Sequence, residues 1–299
     1  MESVIVIVGF LGAGKTTLLK KLIKNYVNEN KKPFIILNDY QNAYMDSQQL
    51  LEFLEPSHVR SLSGSCICCS GLVELRNQVN SIPKRDHGIT LIEANGTSDA
   101  CSLMSFLGLG LNEQFLPPIQ VSVVDVKNWQ QRDQHNELEA NQVQVSSLIL
   151  LNHHTGVEEH RIEEVKKDLK HLNPHARVVL WSEFKLEDIQ ALTPSSNKPE
   201  AMDHMKAHWS SCSVDLPNPI SSSRIHYILK KIPNHIVRVK GCTRLDDQKD
   251  YTYFERVPSG EISMRPYYGH PITGPKLLTI GPGSDPKLLQ KLIETSLHS

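Results

Sequence analysis

At 299 residues and 39% hydrophobic side chains, the chain has the size and composition of one large α/β domain followed by a smaller one, and is neither fibrous nor disordered. A formal net charge of −1 lacks the basic excess of a general nucleic-acid or membrane-surface binder, so neither partner is expected. The apolar run 2–12 is too short to span a bilayer, lacks a basic leader and leads into a glycine-rich turn, while the six cysteines include a tight cluster of three; a cytoplasmic protein with metal or redox thiols is expected, more than a disulfide framework.

Val4 to Val8 reads as a buried strand. It feeds Gly9-Phe10-Leu11-Gly12-Ala13-Gly14-Lys15-Thr16-Thr17, which satisfies G-x-x-x-x-G-K-[ST], and the helix-like pattern Leu18-Leu19-Lys20-Lys21-Leu22-Ile23 follows. This is a phosphate-binding loop. Gly9, Gly12 and Gly14 let the backbone curl around Ala13 so that successive N–H groups face phosphate oxygens, and the dipole of the helix opening at Lys15, Thr16 and Thr17 favours the same charge. Lys15 is expected to reach the β- and γ-phosphates and Thr16 to ligate Mg²⁺.

Phe34 to Leu37 reads as a second strand that delivers Asn38-Asp39-Tyr40-Gln41-Asn42, with Asp46 beyond, to the same sheet edge. Asp39 is a candidate for sensing γ-phosphate and magnesium; the alternative is an ordinary connecting loop. Next comes Ser63-Gly64-Ser65-Cys66-Ile67-Cys68-Cys69-Ser70-Gly71. Cys66, Cys68 and Cys69 can converge on one ion, and thiolate is the preferred donor for Zn²⁺ and Cu⁺. Asp39, His58 or water could complete the set. Ile89 to Ile92 reads as a strand ending in Glu93, with Gly96 three positions on, which is where phosphate-loop nucleotidases place the magnesium- or water-orienting carboxylate and the N–H that senses the γ-phosphate.

Further along, strand Ile119 to Val124 with Asp125, a polar helix around Gln130 to Val145, strand Leu148 to Leu151, helix Glu158 to Leu172 and strand Arg177 to Leu180 complete a nucleotide-binding domain over residues 1–192. Proline, serine and asparagine concentrate between Thr193 and Glu200, placing a linker over 193–209. A C-terminal domain, 210–299, mixes a helix at Ile220 to Lys231 and one at Pro286 to Leu297 with strands around Ile236 to Lys240, Tyr251 to Val257 and Leu277 to Ile280. Cys212, Cys242 and His270 there are read as structural, and the domain as a partner surface.

Together the phosphate loop, the C-x-C-C of Cys66, Cys68 and Cys69, the E-x-x-G of Glu93 and Gly96, Asn173-Pro174-His175-Ala176 and Val237-Arg238-Val239-Lys240-Gly241 resemble the CobW-type metallochaperone GTPases, relatives of the nickel-insertion GTPases. The resemblance implies a doubly wound, mostly parallel α/β sheet followed by a small α+β domain. It also implies slow GTP hydrolysis coupled to binding or delivery of a transition metal, zinc foremost, to a client metalloprotein, in a monomer or an oligomer. By the same resemblance Lys15, Glu93 and Asp39 are the catalytic set, Asn152 and His153 join the nucleotide site, and Asn173 to Ala176 lies near the base pocket. Two departures bear on function. The family's Asn-Glu-Phe-Gly-Glu stands here as Asn38-Asp39-Tyr40-Gln41-Asn42, and N-K-x-D stands as Asn152-His153-His154-Thr155, so ATP joins GTP as an expected ligand. His204 and His208, at i, i+4 spacing, read as surface residues. A kinase or ligase on the same loop, and a metal-binding protein with little turnover, are the alternatives of other classes.

Overall fold

The computed structural model describes residues 1–38, 50, 53–62, 69–195, 211–236, 238–256, 260–267, 271, 274–280 and 284–298. The chain divides into two compact units, one carrying a parallel sheet and the other an antiparallel sheet.

Among the described residues the first unit has seven strands: β1 (Ser3–Val8), β2 (Lys32–Asn38), β3 (Val59–Leu62), β4 (Gly88–Glu93), β5 (Ile119–Asp125), β6 (Leu148–Asn152) and β7 (Arg177–Leu180), in the order β3-β2-β4-β1-β5-β6-β7. Every pairing in it is parallel. The crossovers are helices α1 (Lys15–Asn28), α2 (Cys69–Asn80), α3 (Ala100–Gly108), α4 (Asn136–Gln144) and α5 (Glu159–Leu172), with a four-residue α6 (Glu187–Gln190) at the end. Both faces of the sheet are covered, which is why its strands are near-continuous runs of Val, Ile and Leu instead of alternating ones. Val4, Val6 and Val8 pack on one side with α2 and α3 residues such as Leu75 and Leu103, while Ile149 and Leu151 pack with Ile162, Val165 and Leu169 of α5. The chain builds outward from β1 in both directions, through β4, β2 and β3 on one side and β5 to β7 on the other. The carboxyl end of β1 is therefore the topological switch point, the position at which open parallel sheets bind ligands.

The polar stretch from Gln130 is not one helix. Gln130 and Asp133 adopt positive φ (56° and 49°), a 3-10 turn covers Asp133–His135, and α4 begins only at Asn136. The break is held by Glu139, whose carboxylate accepts the Gln130 N–H at 2.7 Å and the Arg132 Nε–H at 2.9 Å. Strand β3 and helices α2 and α3 were not expected as elements from the sequence.

In the second unit β8 (Ser211–Asp215), β9 (Arg238–Arg244), β10 (Tyr251–Arg256), β11 (Ile262–Pro266) and β12 (Lys276–Ile280) form an antiparallel sheet ordered β11-β10-β9-β12-β8. Helices α7 (Ser222–Lys231) and α8 (Pro286–His298) share a core with it through Ile225, Ile228, Leu289, Val239, Phe254 and Leu277. Helix α7 starts two residues later than the sequence suggested because the Ser221 hydroxyl caps it, accepting from Arg224 N at 3.3 Å. At its other end Arg256, 5% exposed, donates to the carbonyls of Leu229, Ile232, Pro233 and Ile236, which a buried helix end would otherwise leave unsatisfied. Cys212 and Cys242 are buried, and burial pushes the Cys242 thiol up to about 12, so both pack as small core residues. No helix among the described residues is long and apolar enough to cross a membrane.

Candidate functional site: the phosphate-loop edge of the parallel sheet

The loop from β1 to α1 wraps over the carboxyl edge of the sheet. Gly9, Gly12 and Gly14 take positive φ of 143°, 80° and 108°. At Gly14 a left-handed backbone coincides with close approach, since a Cβ there would collide with the Asn152 side-chain amide. Ala13 is buried, and its N–H closes the loop on the Phe10 carbonyl at 3.2 Å. Lys15, 4% exposed, folds back over this cradle, its ammonium donating to the carbonyls of Gly9 (2.9 Å) and Phe10 (3.2 Å). An ammonium held by neutral carbonyls can exchange them for phosphate oxygens, a stronger charge-assisted pairing. Thr17 stands exposed in the first turn of α1.

Thr16 points toward β4. Its hydroxyl donates to Glu93 Oε1 at 2.7 Å, and Glu93 is only 9% exposed at the end of its strand. A threonine hydroxyl and a carboxylate are the hard oxygen donors that Mg²⁺ takes beside a bound phosphate, so the two residues fit that ion. Beyond Glu93 the chain hooks back under the phosphate loop. Ala94 N donates to the Ile7 carbonyl at 2.9 Å, and Gly96 packs so tightly on Leu11 that a Cβ would strike its side chain and its backbone nitrogen. The E-x-x-G stretch and the phosphate loop, about eighty residues apart in sequence, are thus in direct contact.

On the other side of the loop, Asn152 Nδ2 donates to the Ala13 carbonyl at 2.9 Å. Its side chain therefore braces the phosphate loop. His153 follows in a left-handed conformation (φ 56°), with Nδ1 3.3 Å from Asp125 Oδ1 and its side chain 41% exposed; Thr155 is exposed. Asp125, at the end of β5, also accepts from Asn128 (2.8 Å) and Arg132 (3.3 Å). Burial alone would raise its pKa, but the bonds from His153 and Asn128 and the charges of His153 and Arg132 hold it down at about 2. The Arg132 guanidinium in turn lies 4.4 Å over the Phe10 ring. This network, absent from the sequence reading, ties the base-side loop to the phosphate loop. Its sequence signal was an aspartate ending a hydrophobic strand, the same signal that singled out Glu93.

Asn173 to Ala176 does not belong here. Arg177 pairs with Leu148 at the start of β6, so this loop enters β7 at the amino edge of the sheet, opposite the phosphate loop. Asn173 is fully buried, donates to the carbonyls of Val143 (2.8 Å) and Ser146 (3.0 Å) and accepts Ala176 N at 3.1 Å, so it organises a turn and does not touch the base pocket. At the correct edge, β7 delivers Trp181 and Glu183; Trp181 N donates to the Leu151 carbonyl at 2.9 Å, and Glu183 is exposed. Asp39, Cys66 and Cys68 lie outside the described residues, and Cys69 opens α2. Among the described residues there is no group of three or more His, Cys, Asp or Glu that could hold a metal ion.

The sequence matches the family model described as the CobW/HypB/UreG nucleotide-binding domain over residues 3–180. The chain belongs to this family. It is 28% identical over 212 residues to the zinc-regulated GTPase metalloprotein activator 1 of Dictyostelium discoideum, covering 58% of this chain and 44% of that relative. It is 23% identical over 282 residues to the zinc chaperone YjiA of Escherichia coli strain K12, covering 85% and 86% of the two chains. Among solved structures, Zn(II)-bound YjiA GTPase from E. coli aligns over 98% of both chains at 18% identity and a TM-score of 0.44. HypB of Archaeoglobus fulgidus covers 60% of this chain and 80% of its own, at 23% identity and a TM-score of 0.41.

Proposed function

We propose that the protein is a nucleoside-triphosphate-hydrolysing metallochaperone, binding GTP, and ATP with similar affinity, and coupling slow hydrolysis to the binding or delivery of Zn²⁺ or another transition metal. The observation that carries this reading is the convergence of Lys15, Thr16, Glu93 and Gly96 on one sheet edge, with Lys15 bonded to carbonyls that phosphate oxygens would replace and Thr16 bonded to the carboxylate with which it would share a cation. Zinc is supported by the thiol cluster and by two of the relatives, a zinc chaperone and a zinc-regulated activator. In this reading residues 1–192 bind nucleotide, 193–209 link, and 210–299 face a client metalloprotein.

Each residue has a distinct task. The Lys15 ammonium leaves the Gly9 and Phe10 carbonyls and pairs with the β- and γ-phosphate oxygens, while the loop N–H groups take the remaining phosphate charge. Thr16 and Glu93 would hold Mg²⁺, and the ion would supply charge neutralisation at the phosphates. Glu93 or Asp39 orients the attacking water, and the Gly96 N–H donates to the terminal phosphate. Cys66, Cys68 and Cys69 take the cargo metal as thiolates. Asn152 keeps the loop in shape and His153 presents an imidazole face to the base.

Hydrolysis of GTP and ATP by purified protein, with and without one equivalent of Zn²⁺, tests the reading. Stimulation by metal supports a metallochaperone; turnover only with an added small-molecule acceptor indicates a kinase or ligase; tight metal binding without turnover indicates a metal-binding protein.

A further inference from the structure

Helix α4 carries a buried glutamine to which no catalytic or binding part has been given. Gln142 is 1% exposed, and its side-chain amide reaches across to the loop after β4, donating to the Gly96 carbonyl at 3.0 Å and the Ser98 carbonyl at 3.2 Å. Two carbonyls can only be met by the amide nitrogen, so the amide orientation is fixed by the loop. Its own main-chain carbonyl is gripped by β5, accepting from Gln120 Nε2 at 2.8 Å and Ser122 Oγ at 2.6 Å. The clamp is thus anchored to the central sheet. The neighbouring Asn141 extends it by accepting Ala100 N at 2.9 Å, just past the Asp99 cap of α3.

We propose that Gln142 is a positioning residue for the triphosphate state: it holds the Gly96–Ser98 main chain against the phosphate loop, so that the Gly96 amide meets a terminal phosphate without a prior loop rearrangement. The inference rests on the nucleotide-hydrolysing reading above. The geometry confines the effect to one phosphate. Gln142 donates to the Gly96 and Ser98 carbonyls and Gly96 touches Leu11, whereas the Gly12 to Gly14 curl that receives the inner phosphates is braced from the other side by Asn152. A clamp on the Gly96 loop should therefore separate triphosphate from diphosphate, which a residue of merely structural importance would not do. The same α4 carries Glu139, which through Arg132 reaches Asp125 and His153, so one helix holds both the phosphate-sensing loop and the base-side loop.

Gln142→Met keeps the volume and removes both donors. The expected result is an affinity for GDP within about twofold of the parent, an affinity for a non-hydrolysable GTP analogue lowered about tenfold, and a kcat lowered roughly 10- to 100-fold with a smaller change in KM. Gln142→Leu, likewise without donors for the two carbonyls and with no polar atom to bury, should give the same split and serves if the methionine variant does not fold. Asn173→Ala is the control: it removes comparable buried bonds at the opposite edge of the sheet and should lower the melting temperature while leaving the GTP-analogue to GDP affinity ratio at the parental value. Equal losses for the two nucleotides in the Gln142 variants, unchanged analogue binding and turnover, or the same split in Asn173→Ala would overturn the proposal. A parental protein that binds no nucleotide, or whose binding ignores Lys15→Ala, overturns the nucleotide reading itself, and the parent and that variant tell the two failures apart.

Discussion

On the proposed reading, in which the site takes GTP and ATP alike, replacing Thr155 with Asp should make it select GTP. In a guanine-specific loop an aspartate at this place accepts two hydrogen bonds from the N1 and N2 edge, which adenine cannot offer, and a lysine stem packs on the ring. Here the surroundings are built: Asn152 is fastened to the Ala13 carbonyl at 2.9 Å, and His153 stands 3.3 Å from Asp125 with its ring half exposed. What is absent is the charge, since Thr155 supplies one neutral hydroxyl. Charge-assisted bonds contribute about 1.5–3 kcal/mol each. Because position 155 is exposed, two of them at the lower end give about 3 kcal/mol, roughly a hundredfold in the GTP to ATP affinity ratio. Titrating both nucleotides at one Mg²⁺ concentration should find them within about tenfold in the parent and about a hundredfold further apart in Thr155→Asp. A parent that already prefers GTP by a hundredfold refutes the reasoning; Glu183, exposed just past β7, would then be the carboxylate to test through Glu183→Gln.

Lys15→Ala should abolish turnover while leaving the fold intact by circular dichroism, since the ammonium bonds carbonyls of its own loop. Thr16→Ala should show a turnover defect that eases as Mg²⁺ is raised. Replacing Cys66, Cys68 and Cys69 together with serine should remove high-affinity zinc binding in a chelator competition and the proton release that accompanies it; a triple variant that keeps a full equivalent would end the thiolate assignment. Asp125, held at about 2 against an ordinary 3.8, is lowered on folding, so it contributes stability above its unfolded pKa that disappears as pH falls from about 4 to 2. That contribution is about 2 kcal/mol, and Asp125→Asn should flatten this part of the stability profile; an unchanged slope between pH 4 and 2 would contradict it.

The parallel sheet was legible because buried parallel strands are apolar runs and because the loop after β1 carries its chemistry in consecutive residues. Val4 to Val8, Ile89 to Ile92 and Leu148 to Leu151 all fall inside observed strands. Lys15, Thr16, Glu93 and Gly96 could be read because topology forces the carboxyl ends of β1 and β4 together. Contacts set by side-chain reach could not be read that way. Gln142 sits in a helix whose polar residues look like a solvated face, yet Glu139, Asn141 and Gln142 are all at or below 3% exposure. Such polar burial is stable only because each group finds a loop or strand partner distant in sequence. The break at Gln130 was hidden for the same reason: the carboxylate that stabilises it arrives nine residues later.

The surviving asparagine of the altered base motif shows how one motif can carry two separable tasks. Asn152 and Gly14 define each other: the Asn152 amide occupies the space a side chain at 14 would need, and its hydrogen bond to Ala13 holds the loop in the shape that exposes its N–H groups. That task concerns phosphate and is indifferent to the base, so keeping Asn152 says nothing about guanine. On the proposed reading base recognition falls to positions 153–155, where an imidazole 3.3 Å from Asp125 and an exposed threonine stand in place of the lysine and aspartate of N-K-x-D. A site altered in this half alone should retain its phosphate chemistry while losing its choice of purine. Asn152→Ala should then weaken GTP and ATP equally, by about tenfold for one half-buried hydrogen bond and the slack it leaves in the loop. A variant that weakened GTP alone would place Asn152 on the base after all.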